Sequence, residues 1–329
     1  MTLDDLLGQL EIPAIVAPMF LVSNPAMTLA ACSEGMVGSF PAHGTRTRET
    51  FEAWLVEMRE GMARLNDRDP AEGKVAPFAV NLVMHASNER LAGDLDLVVR
   101  HKVPLVLTSK STPEGAVERI HDYGGIVLHD VASKRHAEKA LAAGVDGLIA
   151  VAGGSGGHCG TLNPFSLVNE IRRMHSGAVA LAGGMTTGRD VMAAEAMGAD
   201  LAYIGTRFIA TEESDAAPGH KRMILDSVAT DVMLSSAIDG APGNWLAPSL
   251  VAAGIDLEEL KVTRPGRIQS NHEKKRWKDI WTAGHGIGNI DDVPSTAALC
   301  RRLKAEYRAA REGFGRRLAQ GAAADERAA

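Results

Sequence analysis

Ala143-Gly144-Val145-Asp146-Gly147-Leu148-Ile149-Ala150-Val151-Ala152-Gly153-Gly154-Ser155-Gly156-Gly157-His158-Cys159-Gly160 holds a helix exit, a strand and a loop in succession. Residues 133–143 carry helix patterning, and Gly144 stands just past them, where a left-handed cap is needed. Gly147–Val151 is short and apolar throughout, as parallel strands buried on both faces are. Five of the next eight residues after Ala152 are glycine. Backbone without Cβ atoms can press against a flat ligand and offer N–H groups to an anion. His158 is the acid/base group of this loop, and an imidazole trades a proton near neutral pH. The stretch reads as one βα unit with chemistry at the C-terminal end of its strand.

The same unit recurs outward in both directions. Short apolar runs occupy residues 14–17, 36–40, 78–82, 104–107, 125–128, 147–151, 179–182 and 201–204. Helical stretches such as 133–143 and 189–197 lie between them, and Met197-Gly198-Ala199-Asp200 repeats the exit at Ala143-Gly144-Val145-Asp146. Eight strands of this kind predict an α/β chain folded as a (β/α)8 barrel, a doubly wound open sheet being the competing arrangement. The run 36–40 is the weakest strand, because Gly38 interrupts it. The expected organisation is a barrel over 1–213 and a small, mostly helical domain over 214–286 covering its mouth. A C-terminal helix and frayed tail over 287–329 then return to the barrel. Within the insert, helices are expected over 223–238, 256–261 and 272–281; beyond it, an amphipathic helix over 294–313 is expected to return and close the barrel.

Bulk properties narrow the function. The 329 residues are 45% hydrophobic and 23% charged, as in ordinary globular chains. A net charge of −6 gives no electrostatic support for nucleic-acid binding. No apolar run has membrane-span length, and the start Met1-Thr2-Leu3-Asp4-Asp5 lacks the basic residues of a signal peptide. Cys32, Cys159 and Cys300 form neither a disulfide framework nor a zinc spacing. A cytoplasmic protein without a metal or a membrane partner is expected. No Walker loop or His-Glu-x-x-His helix occurs, and the basic stretch 272–278 reads as a solvated helix face.

Several polar groups fall at strand ends, the barrel face on which catalytic groups collect. Ala182-Gly183-Gly184 follows the seventh strand and Gly205-Thr206-Arg207 the eighth. Either could be a plain tight turn; together at successive strands they read as a phosphate site. His158 reads as catalytic, against a merely solvated loop histidine. Cys159 is a poor nucleophile candidate, since a Cys–His pair is assembled in space and adjacent residues point apart. Met19, in Ala17-Pro18-Met19, offers a soft apolar surface for a flat ring, or is core. Asn81 could bond a heterocycle edge, or hold a turn. Lys134 could neutralise a phosphate or donate to a ring carbonyl, or lie on the surface.

With these residues the chain resembles the nitronate monooxygenase family, formerly 2-nitropropane dioxygenases. The likeness rests on Ala17-Pro18-Met19, Asn81, the 153–158 loop, Ala182-Gly183-Gly184, Tyr203-Ile204-Gly205-Thr206-Arg207-Phe208 and Ala283-Gly284-His285-Gly286-Ile287-Gly288. It implies an FMN-carrying barrel without metal, topped by a small helical domain. It implies His158 as the catalytic histidine, Gly183, Gly184, Gly205 and Thr206 at the flavin phosphate, and Met19, Asn81 and Lys134 at the isoalloxazine, with Gly156 and Gly157 beside the cofactor. Two departures bear on the pocket: Gly154-Ser155-Gly156 stands where many members have Glu-Ala before Gly-Gly-His, and Gly284-His285-Gly286 where many have Gly-Gln-Gly. The expected reaction is oxidation of alkyl nitronates by dioxygen, with nitroalkanes as further substrates and a homodimer as assembly. The alternatives are an NAD(P)H-dependent flavin reductase acting on a quinone or enoyl thioester, and a flavin-binding protein without turnover.

Overall fold

A computed structural model describes residues 2–261 and 278–328. Among these residues the strands are β1 Ala14–Val16, β2 Gly38–Pro41, β3 Phe78–Val83, β4 Leu105–Ser109, β5 Ile126–Val131, β6 Gly147–Val151, β7 Gly157–His158, β8 Ala178–Ala182, β9 Leu201–Ile204, β10 Val232–Ser235 and β11 Gly243–Leu246. All but β7, β10 and β11 form one parallel sheet in the order β1-β9-β8-β6-β5-β4-β3-β2. A parallel bridge from Ile15 to Val37 joins its two ends, so the sheet closes into a (β/α)8 barrel and the open-sheet alternative falls away.

The two-residue period of the strands sorts their side chains. Ile15, Ala79, Leu105, Leu107, Leu128 and Ile149 fill the ring, while Val16, Val80, Val106 and Leu148 turn outward to the helices. Each Val, Leu or Ile among them contributes about 1.5–3 kcal/mol when fully buried. Leu6, on the helix Leu3–Gly8, packs into the interior cluster and plugs one end of the barrel. Asn81, Val151 and Tyr203, at the other end, become the floor of a cavity. Gly38 breaks the apolar run of β2 for a steric reason. A Cβ there would lie 2.3 Å from the Thr28 carbonyl oxygen on the helix Pro25–Ser33.

After β9 the pattern changes. The segment expected to be helical over 223–238 is mostly not: a helix spans Pro218–Asp226, and Val232–Ser235 is strand β10. β10 runs antiparallel to β11, with Val232 opposite Leu246 and Ser235 opposite Gly243. Its apolar residues serve a hairpin, and the buried Trp245 ties the strands by donating Nε1–H to the Ser235 carbonyl at 3.2 Å. A short helix occupies Leu257–Lys261. Residues 262–277, and with them most of the expected helix 272–281, lie outside the described residues; Trp281 is not helical, and Thr282 bridges Trp245. The last helix, Thr296–Ala328, packs against the helices Gly188–Ala196 and Pro25–Ser33, in the place of an eighth barrel helix. Among the described residues no helix is long and apolar enough to cross a membrane, and no cluster of three His, Cys, Asp or Glu side chains could hold a metal ion.

Candidate active site

The glycine loop leaves β6 and is held on three sides. The Gly153 amide donates to the Leu162 carbonyl at 2.7 Å, the His285 amide donates to the Gly154 carbonyl at 2.9 Å, and Asn244 Nδ2 donates to the Ser155 carbonyl at 2.6 Å. Its end, β7, then becomes the third strand of the β10–β11 sheet, with His158 opposite Gly243 and Gly157 opposite Asn244. Gly154 and Gly157 take φ of 91° and 70°, where a side chain is strained. The insert therefore grips the backbone on both sides of His158.

The His158 ring is clamped as well. Its Nε2 makes a short contact with Asp239 Oδ2, and both side chains stay partly exposed. Cys159 is buried beside it, and burial pushes its thiol up to about 11, so it is no nucleophile at neutral pH.

His158 faces a cavity of 1060 Å³ at the open end of the barrel. Met19, Asn81, Gly156, Gly157, Gly183, Gly184, Gly205 and Thr206, named from sequence, all line it. Gly183 and Gly184 turn with φ of 144° and 71°, and a Cβ on Gly183 would lie 3.1 Å from the Gly153 carbonyl oxygen. The Thr206 hydroxyl accepts the Gly284 amide at 2.8 Å, tying the β9 turn to the 284–286 element. Asn81 Nδ2 donates to the Leu107 carbonyl at 3.2 Å and to Ser109 Oγ at 3.3 Å.

Lys134 is the exception. It starts the helix Lys134–Ala142, its side chain is 61% exposed, and it pairs with Glu138 at 3.8 Å. Ser133 caps that helix, so the chain has already left the barrel mouth when Lys134 is reached. Lys110, just past β4 and with a left-handed backbone (φ 77°), lines the cavity instead. Burial lowers its pKa, against the pull of Asp239 and Asp130. Asp130, near the end of β5, lines the cavity too. The sequence reading missed Lys110, Asp130 and Asp239. Asp130, two residues past the apolar run 125–128, was a visible signal at a strand end, whereas Asp239 follows directly on a segment, 223–238, read as helix.

Residues 6–306 match the sequence model of the family described as nitronate monooxygenase. The chain belongs to that family.

The activity that the family's name describes is that of an oxidoreductase. A Mycobacterium tuberculosis protein provisionally assigned as a monooxygenase is 31% identical over 242 residues, covering 68% of this chain and 64% of the relative. A second protein of that organism, named (3aS,4S,5R,7aS)-5-hydroxy-7a-methyl-1-oxo-octahydro-1H-indene-4-carboxyl-CoA dehydrogenase, is 27% identical over 253 residues, covering 76% of this chain and 66% of the relative. The alignments thus span just under two thirds of these relatives' own lengths. The structure of a nitroalkane oxidase from Streptomyces ansochromogenes superposes with a TM-score of 0.74 at 25% identity, covering 94% of this chain and 99% of that one.

The two departures from the nitronate monooxygenase pattern touch each other. A Cβ on Gly154 would lie 3.3 Å from His285 Nδ1, so a side chain there would crowd that ring.

Proposed function

We propose that the protein binds FMN in this cavity and oxidises alkyl nitronates with dioxygen to a carbonyl compound and nitrite. The observation that carries the reading is His158, set on the glycine loop and clamped by Asp239 beside a cavity whose other turns are bare glycine backbone. The residues fit the cofactor. The Gly183-Gly184 and Gly205-Thr206 turns suit a phosphate, since a Cβ on Gly183 would fill the space between two loops. Met19 suits the face of a flat ring, and the Asn81 amide its polar edge. Bound there, FMN would supply the redox chemistry.

The side chains do the rest. The His158 ring, oriented by Asp239, accepts the α-proton of a nitroalkane. A preformed nitronate needs no such step, and the Lys110 ammonium attracts its negative charge. Oxygen uptake and nitrite release with propyl-2-nitronate test the proposal. A flavin-loaded protein that releases no nitrite from any alkyl nitronate would refute it.

One observation favours a second reading. The cavity, at 1060 Å³, is as large as the roomiest ordinary ligand sites, about 300–1,000 Å³. Arg46 and Lys278 in its lining suit a phosphate-bearing thioester, in keeping with the CoA dehydrogenase named above. The same site would then serve an NAD(P)H-dependent reductase acting on an enoyl thioester or a quinone. Anaerobic mixing with NADH or NADPH separates the two: rapid bleaching of the flavin supports the reductase.

A further inference from the structure

Asp130 is anomalous. It lines the cavity near the C-terminal end of β5, yet its Oδ1 is buried and has no hydrogen-bond partner among the described residues. Native proteins satisfy nearly all buried polar atoms, so an unpaired carboxyl oxygen in a cavity wall marks a partner that arrives from outside. Lys110 reaches the same cavity from the next strand end and interacts with Asp130 through its charge, without an ion pair within 4.0 Å among the described residues. Asn81, on β3, completes a row of three polar side chains on consecutive strands. In the ring order, β3 and β4 stand opposite β8 and β9, which carry the glycine turns. A ligand anchored at those turns and spanning the mouth presents its far edge to Asn81, Lys110 and Asp130.

We propose that Asp130 is a cofactor-binding residue, a neutral carboxylic acid that donates a hydrogen bond to an acceptor on the polar edge of the flavin ring, beside Lys110. This rests on the flavin reading above. Burial is the physical cause: it pushes the carboxyl up to about 7 even with Lys110 nearby, so the proton needed for donation is present at neutral pH. Lys110 from the β4 end, Tyr203 from β9, His136 from the helix after β5, and His158 share the cavity with it, and Asp239, beside His158, acts on Lys110 through its charge. His129, its chain neighbour, is buried and occupied by the Thr108 hydroxyl at 2.8 Å. Binding through the protonated form makes flavin affinity fall as pH rises past about 7, by about tenfold per pH unit.

The test is flavin binding to the full chain, followed by flavin fluorescence from about pH 6 to about pH 8.5. FMN is one probe; riboflavin, which lacks the titrating phosphate, is the other. Asp130→Asn keeps a donor without a titrating proton, so both probes should bind within about threefold of wild type at the acid end, with the alkaline loss abolished. Asp130→Leu should weaken both probes by more than about tenfold at the acid end, with circular dichroism confirming the fold. If wild type takes up flavin and Asp130→Leu matches it at every pH, the proposal is overturned while the flavin reading stands. Persistence of the alkaline loss in Asp130→Asn also overturns it, placing the proton elsewhere. A wild-type chain that takes up neither probe overturns the flavin reading and this proposal together.

Discussion

His158 and Asp239 stand 81 positions apart in the chain, and only the hairpin after β9 brings them together. His158 was legible because a strand end and a run of glycines isolate it. Asp239 was not, because a turn between two short strands has no pattern that survives a helical reading. Lys134 shows the converse error: a lysine near the right strand end falls one helical cap too late, and Lys110 stands in the cavity instead. The pair gives a prediction at its own scale. Asparagine at 158 is similar in size and can still hydrogen-bond, but it cannot accept a proton near neutral pH. If His158 is the general base, activity of His158→Asn on a neutral nitroalkane drops by roughly 10²–10⁴-fold. FMN content stays near wild type, and the rate on the preformed nitronate falls far less. Steady-state oxygen uptake on both forms of one substrate reads the difference, and equal losses would assign His158 a binding role.

Loops and strands tell a similar story one level up. The eight barrel strands were readable because each is a short apolar run followed by a helix, a pattern set by burial on both faces. β10 was not, because its residues are half exposed and its partners are β11 and, through β11, the glycine loop. Such pairing depends on contacts distant in sequence, and periodicity over four residues cannot separate it from a helix. The turn after β8 carries the second prediction. Gly184 has φ 71° but open space, since a Cβ would lie 4.0 Å from its nearest neighbour, the Gly286 amide nitrogen. Gly184→Ala therefore suffers only the left-handed backbone cost, roughly 1–2 kcal/mol. Gly184→Asp adds a carboxylate facing the phosphate. Fluorescence titration should show FMN affinity more than about tenfold weaker in the aspartate than in the alanine variant. Equal affinities would remove the phosphate from this turn.

The whole molecule closes at two places, the thin seam at Ile15–Val37 and the docking of Thr296–Ala328 in the eighth helix position. The docking needs Gly188, where a Cβ would lie 2.1 Å from the Leu303 carbonyl oxygen and 2.3 Å from the Tyr307 amide nitrogen. Because backbone atoms cannot step aside, Gly188→Ala should cost about 1–3 kcal/mol or more, read as a lower denaturation midpoint. The pH dependence of stability is also a property of the whole. Burial holds His43, His129 and His220 down at about 4, so each contributes stability above the free histidine range, near 6.5, and loses it as pH falls toward 4. Asp130 works in the opposite sense. Its pKa is about 7 in the folded chain and about 3.9 in the unfolded one, so between those values the folded state binds the extra proton. Its contribution is complete below about pH 4 and is lost as pH rises through about 7. In the wild type alone the histidines mask this trend on the acid side. Comparison with Asp130→Asn isolates it, because the histidines are common to both chains. Without flavin, the variant should gain stability over wild type progressively from about pH 4 to about pH 7, by at most about 4 kcal/mol, and hold a constant margin above that. Thermal or urea denaturation at several pH values measures the margin. A margin that does not change with pH would mean that Asp130 titrates alike in the folded and unfolded chains.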